Sequence, residues 1–222
     1  NDFKVKIIKS RGVAKNRNAA IRMATAPLAL MTDDDVRNTP EQLKTVMESF
    51  EKYPDMDLIT FKIDIQNCAK SYPSCPFDLK HPEKGYYLGN PELAFRRSSI
   101  KGIISYNENF GIGAMFPVGE EDIFLQDCMN HNLKGLFLPV TIGRHPTDTS
   151  SDRLKHSPEF IQTKGAVFLH VKPKSWFPRM IAHALRYRDV NGNRKIFWYL
   201  RQWLSGISKA RKNHVFDNYD SV

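Results

Sequence analysis

Six uncharged residues, APLALM at 26–31, open directly onto TDDDV, so that Asp33, Asp34 and Asp35 stand side by side at the mouth of what reads as a fully buried strand. Two unit charges about 4 Å apart repel by roughly 4 kcal/mol at an effective dielectric of about 20. A fold that keeps this cluster must bring something positive to it: a cation, an arginine or a helix end. The flanking segments supply context. FKVKIIK (3–9) alternates apolar and basic residues as a strand does, KNRNAAIRMATA (15–26) has helical spacing, and MDLITFKIDI (56–65) returns as a strand. Thr39-Pro40 offers a cap and first residue for the helix EQLKTVMESFEKY. Strand, helix, strand, helix, strand at this spacing predicts an α/β layer with parallel strands.

Residues 66–92 have no clear period and read as an excursion or small hairpin over the sheet edge. A glycine-rich loop, NENFGIGAMFPVGEED, leads into the helical pattern EDIFLQDCMNHN, and LKGLFLPV (133–140) closes the core as a strand. From Ser157 onward the pattern is helical in three pieces, 158–171, 175–188 and 194–212, with only the last few residues expected to be disordered.

Charge divides the chain at the same place. Residues 1–150 hold 19 Lys and Arg against 19 Asp and Glu, whereas 151–222 hold 14 against 5, so the whole excess of +9 sits in the last third. Two units are expected: a neutral catalytic region over 1–150 and a basic helical extension over 151–222 that prefers an anionic surface. Cys68, Cys75 and Cys128 form no disulfide framework, which favours a reducing compartment; a zinc reading of Cys68, Cys75 and His81 fits no common spacing. No apolar stretch approaches the roughly 18 residues needed to span a bilayer, and no signal-like segment opens the chain. The expected location is cytoplasmic, extending to peripheral attachment at the inner face of a membrane.

In an α/β sheet, ligands collect at the carboxyl ends of strands, where Asp33 to Asp35 fall. Carboxylates suit Mg²⁺ or Mn²⁺, which share their remaining positions with water and substrate phosphates. The alternative is a solvated acidic turn capping the next helix.

GVAKNRNAAIRMATAPLALMTDDDV, followed about 85 residues later by NFGIGAMFPVGEEDIFL, resembles the family 2 glycosyltransferases, inverting enzymes of the GT-A fold. The resemblance covers residues 3 to about 148. It implies a GT-A-like, Rossmann-like mixed sheet flanked by helices, and a transferase moving a sugar from a nucleotide-sugar donor to a glycan or lipid-linked acceptor, as in polysaccharide biosynthesis. Asp33 and Asp35 match the Asp-x-Asp motif, with Asp35 as metal ligand and Asp33 contacting the ribose or the metal's water; Asp34 fills the middle place on the donor side. Arg17 and Asn18 match the pair near the donor diphosphate, although Arg17 is equally read as an ion-pair partner of the aspartates. Asp122 matches the general base and Glu121 a contact to sugar or acceptor, while an acidic first helical turn remains the plainer reading of Glu120 to Asp122. Gly111 and Gly113 let backbone approach a sugar, or simply form a turn. His145 falls where related enzymes place a histidine near the metal, or else is a structural histidine. The family usually begins with a nucleotide-binding strand, loop and strand ahead of the position of Phe3. That unit does not precede Phe3 in these residues, so either they are a piece of a longer polypeptide, which Asn1 as first residue favours, or nucleotide binding has been lost.

In the basic third, Ile196, Leu200, Trp203 and Ile207 share a helix face with Phe197 and Leu204 beside them; Trp176, Phe177, Met180, Ile181 and Leu185 accompany Arg179, Arg186 and Arg188. Such a face either lies on a membrane or folds back on the catalytic region. Nucleic acid is not expected, because no reading motif accompanies the charge. Two rivals stand beside the transferase: a nucleotidyltransferase, which needs a glycine-rich, arginine-containing loop near its start, and a non-catalytic membrane-surface or carbohydrate-binding module derived from such an enzyme.

Overall fold

The computed structural model describes residues 7, 9–65, 70–145, 154, 157–187 and 196–217. Of the expected strand at 3–9 only residues 7 and 9 are described, and neither is in a strand; Cys68, Arg188 and the chain end at 218–222 lie outside the described residues.

Helix α1 (Val13–Met23) starts at Gly12 and precedes strand β1 (Leu28–Leu30). Helix α2 (Pro40–Lys52) begins as the sequence predicts: the Thr39 hydroxyl accepts from the Gln42 amide while the Gln42 side chain accepts from the Thr39 amide, so two otherwise unpaired donors are satisfied together. Strand β2 (Leu58–Ile65), the short β3 (Phe77–Asp78), β4 (Leu93–Arg96), helix α3 (Arg97–Ile100), helix α4 (Glu120–Asn130) and strand β5 (Gly135–His145) follow. Three helices complete the described chain: α5 (Pro158–Val171), α6 (Trp176–Tyr187) and α7 (Ile196–Lys212).

The strands form one sheet in the order β1-β4-β2-β5-β3. Only β2 and β5 run parallel; β1 with β4, β4 with β2, and β5 with β3 are antiparallel. This is the mixed sheet that the resemblance implies; the parallel strands expected from the strand and helix alternation are limited to β2 and β5, and the reason is β4. LAFR is four residues long and, in its first three, buried on both faces, so it carries no alternation to read, yet it inserts between β1 and β2. Arg96 locks its end by donating to the carbonyls of Met56, Phe50 and Pro54 at 2.9–3.0 Å. Strand β1 is half-buried rather than fully buried, and β5 runs five residues beyond Val140, which places His145 at the strand end itself.

Side-chain alternation divides the core. Ile59, Phe61, Ile63, Ala94 and Leu138 face α2 through Val46 and Phe50, whereas Leu58, Leu93, Phe95 and Phe137 face α1 and α4 through Ala14, Ile21, Phe124 and Cys128. Helices thus cover both faces, giving the GT-A-type α/β layering. The segment 70–92 folds over the sheet edge as expected and is fixed there by buried Glu92, which accepts from the Tyr72 hydroxyl at 2.7 Å and pairs with Lys70. Burial pushes the Glu92 carboxyl above its ordinary range, and the Lys70 ammonium opposes that rise.

The basic third folds back on this body. Phe110, Phe116 and Ile123 share a core with Ala166, Val167, Ala210 and Val215, and Val118 shares another with Phe160, Tyr199 and Trp203. Trp203 and Ile207 are buried, so the face read as interfacial is largely internal, while Phe197 and Leu204 remain 76% and 50% exposed.

Candidate active site

Arg17 answers the question raised by the aspartates. Its helix carries it to the end of β1, where it lies 3.6 Å from Asp33, 2.8 Å from Glu120 and 3.4 Å from Glu121. The guanidinium also stands 5.4 Å from the centre of the Tyr106 ring. Burial by itself would lower the Arg17 pKa, but the charges around it, Glu121 foremost, outweigh that and hold it above its ordinary value. One residue thereby gathers β1, α1 and the start of α4.

Asp35 is brought to His145, whose Nε2 lies 3.2 Å from the carboxylate. The backbone fixes this approach: Arg37 N–H donates to the Arg144 carbonyl and Arg144 N–H to the Arg37 carbonyl, both at 2.9 Å, so the acidic turn is stitched to the end of β5. One carboxylate oxygen and one imidazole nitrogen suit a divalent ion that completes its shell with phosphate and water. Among the described residues no group of three or more His, Cys, Asp or Glu is arranged to hold a metal by itself. Asp34 is exposed between the two pairs.

At the start of α4, Gly119 adopts the left-handed conformation at φ 95°, and its missing side chain leaves room for Val167 of α5. Glu120 is 5% exposed, with one oxygen on Arg17 and the other buried and unpartnered. Glu121 is pushed up to about 8 by burial and by the charge of Glu120, against the pull of Arg17. Asp122 turns the other way, where Lys164 of α5 reaches its Oδ2 at 3.4 Å.

Three sequence-predicted donor residues have structural partners here. Asn18 is buried and clamps the following loop, its amide donating to the Tyr106 carbonyl at 2.9 Å and its oxygen accepting from the Tyr106 amide at 2.7 Å. Gly111 and Gly113 have φ of 96° and 86°; side chains there would meet Val13 and Glu120, and Gly12, so the loop closes onto the start of α1. Glu120 and Lys164 were not singled out by sequence reasoning. Glu120 had a signal in the acidic run, which does not say which carboxylate turns inward; Lys164 had none, since only the docking of α5 aims it.

The sheet and its flanking helices have the GT-A type of layering, with carboxylates gathered around an arginine and a histidine at the strand ends. The family model for glycosyl transferase family 2 matches residues 1–113, and the chain belongs to that family: it is a glycosyltransferase. The matched residues include Arg17 and Asp33 to Asp35 and stop before Asp122. Among solved structures, the chain is similar to TarS 1–349 of S. aureus in complex with UDP-GlcNAc, with TM-score 0.61 and 17% identity, covering 98% of this chain and 73% of that one. It is also similar to TarS 1–349 alone, with TM-score 0.55, 14% identity, and 91% and 72% covered, and to S. aureus TarS, with TM-score 0.54, 16% identity, and 95% and 42% covered. No curated protein sequence matches.

Proposed function

We propose that the chain is a metal-dependent, inverting glycosyltransferase that moves a sugar from a nucleotide-sugar donor, of the uridine diphosphate class, to a glycan or lipid-linked acceptor. The observation that carries this reading is the Arg17 network: three carboxylates converge on one guanidinium, so the pocket is anionic and a donor diphosphate needs a divalent cation to enter it. Asp35 and His145 would hold that ion, Mn²⁺ or Mg²⁺, with Asp33 and Asp34 beside it, and bound there it would neutralise the departing diphosphate. Two of the similar TarS structures are complexes, one with UDP-GlcNAc and another with UDP, which supports the uridine class.

The protein's own residues perform the rest. The acceptor oxygen attacks the anomeric carbon on the face opposite the diphosphate, the carbon–oxygen bond to that group breaks, and the hydroxyl proton passes to the Asp122 carboxylate. Glu121, held up to about 8, is mostly protonated at neutral pH; it donates a hydrogen bond to sugar or acceptor rather than taking a proton. Arg17 fixes the spacing of both carboxyl-bearing turns. The acceptor side is read as an anionic membrane surface, on the outward face of α7, where Phe197 and Leu204 alternate with exposed Arg201 and Arg211. This face is the basis for peripheral attachment, while the cytoplasmic location rests on the cysteine usage.

Calorimetric titration of UDP into the protein with and without Mn²⁺, beside Asp35→Ala, tests the site. Binding that requires the ion and disappears in Asp35→Ala is expected; equal binding without metal, or in the variant, would sink the metal assignment.

A further inference from the structure

We propose that Lys164, in the basic third of the chain, is a positioning residue for the general base: its ammonium holds Oδ2 of Asp122 and leaves Oδ1 turned toward the acceptor hydroxyl. The inference rests on the assignment of Asp122 made above. Lys164 Nζ lies 3.4 Å from Asp122 Oδ2, with the two side chains 25% and 32% exposed. A pair so open to water contributes little to stability, about 0–1 kcal/mol. Helix α5 does not need it for docking, because Ala166 and Val167 are buried against Phe110, Phe116 and Ile123. What the contact does determine is the direction of the carboxylate.

The surroundings leave the lysine little choice of place. Its ammonium lies 5.5 Å from the centre of the Phe160 ring, one turn earlier on the same helix. Gly165, next in sequence, abuts the backbone of Trp203 in α7, and Gly206 of α7 abuts the backbone of Gln162, so the two helices interlock at points where neither can slide. On the other side Val167 fills the space left by Gly119, immediately before α4. A shift of α5 by one residue would rotate Lys164 by about 100° away from Asp122. The C-terminal helices therefore complete the catalytic site rather than decorate it.

The test compares steady-state transfer by the wild-type protein, Lys164→Met, Lys164→Arg and Asp122→Asn, with melting temperatures alongside. A misaimed base is felt in the transition state and not in donor binding, so Lys164→Met should lower kcat by about 10- to 100-fold with donor KM unchanged. Its melting temperature should stay within about 2 °C of wild type, and Lys164→Arg should restore most of kcat. Full activity in Lys164→Met, a defect confined to KM, or no rescue by arginine would overturn the proposal. An inactive Asp122→Asn beside a fully active Lys164→Met would overturn the role of Lys164 alone, whereas a fully active Asp122→Asn would remove the base assignment and the proposal with it.

Discussion

At the scale of the residue, the site turns on how one guanidinium is shared. Arg17 is shared among Asp33, Glu120 and Glu121, and burial together with the charge of Glu120 pushes the Glu121 carboxyl up to about 8. A carboxyl raised on folding adds stability that is fully present below its unfolded value, near 4.5, and is lost as pH rises through the folded one. Unfolding in urea should accordingly show stability falling from about pH 5 to about pH 9. Glu121→Gln should flatten that slope and exceed wild type at the alkaline end, by an amount on the order of a few kcal/mol. An unchanged slope in the variant would place the titration elsewhere. The triplet of aspartates announced that a positive group had to be near, and Arg17 was legible as that group. Its division among α4 carboxylates was not, because that depends on a contact across 103 residues of chain.

At the scale of the element, what could be read followed from repeating pattern. Helix α2 was visible from Thr39-Pro40 and its capping chemistry, and α5 matches its expected span of 158–171, because apolar spacing and caps are local signals. Strand β4 was invisible for the opposite reason: a short segment buried on both faces has no period, and its place between β1 and β2 is decided by partners distant in sequence. The helix pair α5 and α7 offers a direct check on tight packing. Gly206 is helical, where alanine ordinarily gains about 1 kcal/mol, yet a methyl there would overlap the Gln162 carbonyl oxygen. Gly206→Ala should therefore destabilise the protein by about 1–3 kcal/mol, read as a lower urea midpoint. A stabilised variant would mean that the helices are not in this contact.

At the scale of the whole molecule, the division of charge seen in the sequence has a spatial counterpart. Part of the basic excess lies in helices whose inner faces are buried on the body, and α7 turns Phe197, Arg201, Leu204 and Arg211 outward. Vesicles containing anionic lipid should retain the protein at low salt and release it as salt rises. Arg201→Glu with Arg211→Glu should weaken retention by at least about 1 kcal/mol, roughly fivefold, per charge; retention equal to wild type would remove the membrane from the reading. The apolar face of α7 was legible from its spacing, but whether it turns inward or toward a membrane was not, since partners distant in sequence decide that. The stitch between Arg37 and Arg144 bears on how such a molecule tolerates change. Its hydrogen bonds are made by main-chain atoms alone, so positions 37 and 144 can drift through many side chains while Asp35 and His145 keep their separation. Gly143 is the exception, because a side chain there would press on Asn38 and the Arg37 carbonyl. Inheritance of the spacing between Asp35 and His145 is thus entrusted to one glycine and a pair of peptide groups.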